Sequence, residues 1–278
     1  MTTLRIEHRT SFAYEGSIVS SYNEARLIPA WLPRQRVLDS KVEISPVTWR
    51  SSYRDYWEAD VVVFEVLQPH ESLSVVGSSL VEVTSVPARE ERVAWETLTG
   101  PRFQDLLSEY LGLSDTTEPT EELAAFARDA ASRLGPDDTA RAICDHLHDQ
   151  INYVPGSTSV HTPARDAWDA RSGVCQDFAH LAIGALRTVG IPARYVSGYL
   201  HPKRDAAIGE TVSGESHAWV EWWTGDWFGF DPTNDREVGD HHVIVARARE
   251  YTDVPPLTGV VAGSTTELDV QVHITQVE

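Results

Sequence analysis

The sequence predicts an α+β protein in which an all-β sandwich precedes a domain of helices followed by an antiparallel sheet. Three observations predict it. From residue 2 to about 86 the chain is valine-rich and β-branched, is cut by turn residues and offers no usable stretch of helical period. From about 119 to 189 apolar residues recur at helical spacing. From about 193 onward the pattern returns to strand-like alternation. The implied division is 1–86 for the sandwich, 87–100 for a charged linker and 101–278 for the mixed domain.

Composition bounds the function. The 278 residues are 41% hydrophobic, ample for a large core. A net charge of −19, from 42 acidic against 23 basic residues, repels nucleic acid and anionic membrane surfaces and suits solubility. No apolar run is long enough for a membrane span, and Met1-Thr-Thr-Leu-Arg-Ile opens a strand rather than a signal peptide. Two cysteines, Cys144 and Cys175, make neither a disulfide framework nor a zinc set, so a reducing, cytoplasmic setting without cofactor or metal is expected. Lys41 and Lys203 are the only lysines.

In the first domain Leu4, Ile6 and His8 alternate with charged residues, and 37–44, 61–66 and 73–83 read as strands between Pro29, Pro33, Pro46, Pro69 and Gly77. Tyr53, Tyr56, Trp57 and Phe64 suit core and rim packing. The first long helix starts at Pro119, Glu121 and Glu122, carries Leu123, Phe126, Ala127, Ala130, Ala131 and Leu134 on one stripe, and stops at Gly135-Pro136. In the next, capped by Asp137 or Asp138, Ala140, Ile143, Cys144, Leu147 and Ile151 share a narrow arc, which makes Cys144 a core thiol. A polar loop over 153–162 then leads to a short helix from Thr162-Pro163.

Phe178, Leu181, Ala182, Ala185, Leu186 and Val189 mark a buried helix that ends at Gly190-Ile191-Pro192. Cys175 falls at its first turn. Unpaired amides and the positive end of the helix dipole favour a thiolate there and can hold an oxyanion. Strands follow at 193–199, 215–223, 227–231, 243–247 and 268–275, and the glycine-bearing, charged stretch 200–214 reads as a mobile flap.

A nucleophilic cysteine needs a base. His217 shares a strand face with Trp219 and Glu221, and Asp231 follows beyond a hairpin marked by Thr224-Gly225. A three-residue loop of Trp223, Thr224 and Gly225 pairs Trp222 with Asp226 and sets His217 opposite Asp231 on one face. A two-residue loop turns Asp231 away. With the first geometry, Asp231 orients His217, which takes the proton of Cys175 and returns it to a leaving amine. His241 and His242, adjacent on a strand, point to opposite faces and cannot share an ion without a bulge.

The motifs Gly173-Val174-Cys175-Gln176-Asp177-Phe178-Ala179-His180-Leu181, Gly190-Ile191-Pro192-Ala193-Arg194-Tyr195, Ser216-His217-Ala218-Trp219-Val220-Glu221 and Gly229-Phe230-Asp231-Pro232-Thr233-Asn234 together resemble those of bacterial transglutaminase-like proteins. The resemblance is close over residues 140 to 250 and looser over 2 to 85. It implies a papain-like core behind an N-terminal β-sandwich, with Cys175 as nucleophile, His217 as base and Asp231 as orienting carboxylate. Nothing matches the calcium sites of eukaryotic relatives. Their oxyanion-assisting tryptophan has no clear counterpart, so Tyr153 is the substitute, beside the safer main-chain amide of Cys175. Gln176 and Trp219 join Tyr153 as oxyanion or substrate-lining candidates, although Trp219, with Trp222, Trp223 and Trp227, equally suits sheet packing.

The implied chemistry is attack of Cys175 on a peptide or glutamine carboxamide, giving a thioester resolved by water or by an amine. Cleavage is favoured over crosslinking because uncontrolled crosslinking harms a cytoplasm. The competing reading is a non-enzymatic binding scaffold that keeps the fold, for which a complete Cys, His and Asp set has no use.

Overall fold

A computed structural model describes residues 1–85, 92–203, 207–214, 216–261 and 263–278. The first part is all strand: β1 (Thr2–Ile18), β2 (Ser21–Ala25), β3 (Gln35–Ser45), β4 (Trp49–Arg54), β5 (Asp60–Val66) and β6 (His70–Val83). Helices follow: α1 (Trp95–Leu98), α2 (Pro101–Leu106), α3 (Glu121–Arg133) and α4 (Pro136–Gln150), then β7 (Asn152–Tyr153), α5 (Ala164–Ala170), β8 (Ser172–Gly173) and α6 (Cys175–Thr188). The rest is β9 (Ala193–Leu200), β10 (Thr211–Gly214), β11 (His217–Trp223), β12 (Trp227–Asp231), β13 (Arg236–Glu237), β14 (His242–Ala248), β15 (Leu257–Val261) and β16 (Thr265–Gln276).

The α+β class and the leading β region agree with the sequence. Helix starts differ in detail: Thr120 caps α3 by accepting from the Leu123 amide, and Gly135 precedes α4 with Pro136 at its first position, so Asp137 and Asp138 lie inside the first turn.

The contiguous domain division does not hold. The last strand, β16, pairs antiparallel with β1 along nearly its whole length, and β15 pairs with β2. The sandwich therefore consists of the sheets β10-β16-β1-β6-β3 and β15-β2-β5-β4, and the sheet β13-β12-β11-β9-β14, with the short parallel pair β7-β8, belongs to the helical part. Alternation in 268–275 identifies a strand but carries no label for its partner, and β1 has a free edge that a distant strand can satisfy. The expected flap, 200–214, ends in β10, an edge strand bonded to β16, with the Gly209 amide donating to the Gln276 carbonyl at 2.8 Å. Residues 204–206 of that stretch, and 87–91 of the expected linker, lie outside the described residues.

Two cores result. Tyr14, Ile18, Val42, Phe64, Leu73 and Val75 fill the space between the sandwich sheets. The larger core spans both parts: Leu4, Ile6, Val81 and Val272 of the sandwich join Ile143, Leu147, Phe178, Leu181 and Val220. The seam is also hydrogen-bonded. Tyr199 meets buried His8 Nδ1 at 3.0 Å, Gln35 donates through Nε2 to the Ile244 carbonyl at 2.7 Å, and the Ile244 amide donates to Gln35 Oε1 at 2.7 Å. Burial lowers the His8 pKa to about 4, which leaves the ring neutral in this seam.

Because Ile274 is 1% exposed within that shared core, Ile274→Ala is expected to cost about 3 kcal/mol in urea unfolding although it lies near the chain end. A loss below about 1 kcal/mol contradicts a terminal strand integral to the fold.

Candidate active site

Cys175 opens α6 as expected, half-buried, with Val174 in extended conformation ahead of it. The helix packs on the sheet face formed by Ala218, Val220, Trp222 and Phe230, and leaves its first amides, those of Cys175 and Gln176, without intrahelical carbonyl partners. Cys144 is fully buried in α4, and burial raises its pKa far above the ordinary thiol value, so it is an inert core thiol.

The hairpin between β11 and β12 meets the geometric demand by a different register. Trp223 pairs with Trp227, so the loop is Thr224-Gly225-Asp226, with Gly225 at φ 115°. The register differs from the expected one by two residues and keeps the same face. Continuing the pairing sets Asp231 across from Trp219, with His217 its diagonal neighbour. The turn is pinned from α4: Thr224 Oγ1 and Trp222 Nε1 both donate to Asp137 Oδ1, at 3.1 and 3.0 Å. That anchor makes Thr224 the first loop residue, where counting from glycine placed it second.

On this diagonal His217 Nε2 meets Asp231 Oδ2 at 2.8 Å. The other ring nitrogen, Nδ1, is left for the Cys175 thiol, with which His217 is also hydrogen-bonded. His217 and Asp231 share the sheet face turned away from α6. His217 is the first residue of β11, so its ring bridges the sheet end to the helix N-terminus. Burial by itself lowers the His217 pKa, but the hydrogen bonds to Asp231 and Cys175 and the charges of both outweigh it and lift it to about 10. Burial acts on Asp231 in the opposite sense, and the bonds from His217 and His242 hold this carboxyl well below the usual range. Imidazolium against carboxylate is therefore the resting pair at neutral pH.

Asp231 is wholly buried and fully engaged. Oδ1 accepts from the amides of Thr233 and Asn234 at 3.1 and 3.2 Å, and Oδ2 from Asn234 Nδ2 at 2.8 Å. His242 is a site residue that sequence reasoning missed. Its Nδ1 accepts from the Gly239 amide at 3.2 Å, which assigns the proton to Nε2, 3.5 Å from Asp231 Oδ2. Burial lowers its pKa, so a neutral donor backs the carboxylate. The sheet order sets β9 and β11 between β12 and β14, which hides this contact from strand-by-strand counting. His241 diverges from it, edge-on to His201 at 5.6 Å between ring centroids.

The three lining candidates separate. Trp219 is 0% exposed, packed between the rings of His217 and His242 at 6.0 and 5.2 Å, so it backs the imidazole and offers no face to a substrate. Gly198 makes this possible, since a Cβ there would lie 2.7 Å from the Trp219 ring. Gln176 is buried, with Nε2 donating to the Val160 carbonyl at 3.1 Å, so its amide is committed to the adjacent loop. Tyr153 is exposed and pairs through its backbone with Gly173, two residues before Cys175, which places it at the rim. Among the described residues, no group of three or more His, Cys, Asp or Glu side chains is arranged to hold a metal ion.

Comparison with known proteins agrees with this architecture. Residues 4–82 match the model of the bacterial transglutaminase-like N-terminal region, and residues 124–232 that of the transglutaminase-like superfamily. An uncharacterized protein of Mycobacterium leprae is 42% identical over 277 residues, 99% of each chain, and one from Mycobacterium tuberculosis is 35% identical over 92% of this chain and 87% of its own. A protein-glutamine gamma-glutamyltransferase of Pseudomonas aeruginosa is 33% identical over 34% of this chain and 16% of its own length. A crystal structure from Cytophaga hutchinsonii, provisionally described as a cysteine protease, superposes with TM-score 0.77 at 21% identity, covering 100% of this chain and 92% of that one, a likeness of fold. From its fold and its full-length relatives, the chain belongs to the transglutaminase-like superfamily, with the bacterial N-terminal region ahead of its core.

Proposed function

We propose that the protein is a cysteine-dependent acyl-transfer enzyme acting on an amide of a peptide or protein. The observation that carries this reading is the hydrogen-bonded chain from buried Asp231 through His217 to a sulfur at a helix N-terminus. In the proposed reaction His217 holds the proton and Cys175 attacks as thiolate. The Sγ–C bond forms, and the carbonyl π electrons move to oxygen, facing the first-turn amides of Cys175 and Gln176, which have no intrahelical carbonyl to bond. Collapse breaks the C–N bond, and His217 gives its proton to the departing amine, leaving a thioester. Neutral His217 then deprotonates water or a second amine, which attacks the thioester and releases the thiolate as the imidazolium re-forms. Water makes the protein a peptidase or amidase, and an amine makes it a transglutaminase. The partial likeness to a glutamine gamma-glutamyltransferase supports amide acyl chemistry in general.

Mass spectrometry of a peptide library incubated with a primary amine separates these outcomes. Addition of the amine mass indicates transfer, and cleavage or a one-dalton deamidation shift indicates hydrolysis. Cys175→Ala is expected to abolish either product, and His217→Ala to slow it by about 10²-fold or more. Products unchanged in Cys175→Ala contradict the reading, and absence of any product favours the scaffold. A substrate-free check uses iodoacetamide at neutral pH: Cys175 is expected to label and Cys144 not, with labelling slower in His217→Ala. Equal labelling rates in the two proteins count against an activated thiol.

The electrostatics of the pair also set a pH signature. His217 rises from 6.5 to about 10 on folding, so its stabilising contribution is fully present below 6.5 and is lost as pH climbs through about 10. Asp231 is depressed from 3.8, so its contribution is present above that value and is lost as pH falls through its folded one. Asp231→Asn is therefore expected to cost most, about 3 kcal/mol, between roughly pH 4 and 6.5. In urea unfolding the gap to wild type should narrow on both sides of that window, and a gap independent of pH contradicts the assignment.

A further inference from the structure

Asp177 follows Cys175 by two residues, and its setting is unusual for a carboxylate. It is 0% exposed, and among the described residues no arginine or lysine pairs with it. Oδ2 accepts from the Val174 amide at 2.7 Å and from Thr158 Oγ1 at 2.6 Å, while Oδ1, equally buried, has no hydrogen-bond partner. Burial raises its pKa against those two bonds. Room for the group is made by Gly173, where a Cβ would lie 2.8 Å from Asp177 Cβ and 2.9 Å from Oδ2. A buried carboxyl with an unsatisfied oxygen costs stability, so its presence calls for a purpose beyond capping the helix.

Both bonds end on atoms that frame the nucleophile. Val174 is the residue before Cys175, and Thr158 lies in the loop 154–162, which leaves β7 where that strand pairs with β8. The same loop is joined by the Val154 amide to the Gly173 carbonyl at 3.0 Å and by Gln176 Nε2 to the Val160 carbonyl at 3.1 Å. Every tether lands within two residues of Cys175. Val154 and Val160 of the loop so tied are 42% and 43% exposed, and Cys175 is half-buried.

We propose that Asp177 is a positioning residue whose Oδ2 ties the loop 154–162 to the backbone carrying Cys175. The loop so held stands as one wall of the acyl-donor site and receives an apolar flank of the substrate. This rests on the acyl-transfer reading for its purpose, but the tether itself is testable without turnover. Its logic is two accepted hydrogen bonds, with no demand for negative charge. Asparagine satisfies it, since the amide oxygen replaces Oδ2 and the amide nitrogen takes the unpartnered Oδ1 position.

Hydrogen exchange read by mass spectrometry on wild type, Asp177→Ala, Asp177→Asn and Thr158→Val tests the tether. Amides of 154–162 are expected to exchange about tenfold faster in Asp177→Ala and Thr158→Val, and near the wild-type rate in Asp177→Asn. Thr158→Val leaves the bond to the Val174 amide intact, so it answers even where Asp177→Ala does not fold. With a peptide that wild type turns over, Thr158→Val should raise KM several-fold with kcat nearly kept, and Asp177→Asn should keep both. Unchanged loop exchange in Thr158→Val overturns the proposal. So does an Asp177→Asn variant as impaired as Asp177→Ala, which would make the charge, and not the tether, the essential feature.

Discussion

The site depends on one hydrogen bond, from His217 to Asp231, because it is the contact that lets an imidazolium persist inside the fold. A histidine buried without a carboxylate on its ring loses its proton; His8, bonded to the Tyr199 hydroxyl, and His180, accepting from the Tyr251 amide, are both held near a pKa of 4 by burial. His217 departs from them by having a carboxylate whose own charge is secured by two main-chain amides, Asn234 and a neutral His242. The layers around Asp231 therefore act on Cys175 at one remove: they hold the carboxylate ionised, the carboxylate holds the imidazolium, and the imidazolium faces the sulfur.

That arrangement constrains the architecture more than the count of three residues suggests. His217 and Asp231 must share a sheet face, and the sulfur must come from the opposite side of the same sheet. The hairpin from β11 to β12 settles the first condition and α4 guards it, since Asp137 holds the turn through Thr224 and Trp222. Position at the strand end settles the second, because only there can a ring turn from one side of a sheet toward a helix on the other. Trp219 packs behind the imidazole, where Gly198 leaves room for its ring. The sandwich supports the same sheet from outside, through Gln35 on the Ile244 backbone and His8 on Tyr199.

The sequence made the local elements and the face of His217 legible, because helical stripes and alternation are properties of a short window. Cys175 at a helix start and the shared parity of His217 and Asp231 both followed from such windows. What depended on partners far along the chain did not. The pairing of β16 with β1 and the approach of His242 to Asp231 are set by tertiary topology, which periodicity does not encode. The hairpin register was recovered only in parity, since a side chain on α4 and not the turn residues alone fixes where the loop begins. Trp219 and Gln176 were assigned by proximity in sequence, and burial redirected both to support.

The measurement that bears most directly on this account is the NMR pH titration of the His217 imidazole in wild type and in Asp231→Asn. The account predicts a wild-type midpoint well above the ordinary 6.5, toward about 10, and a clear downward displacement when the carboxylate is replaced. A ring that titrates near 6.5 in both proteins would contradict it, because the sulfur would then face a histidine that the rest of the fold does nothing to charge.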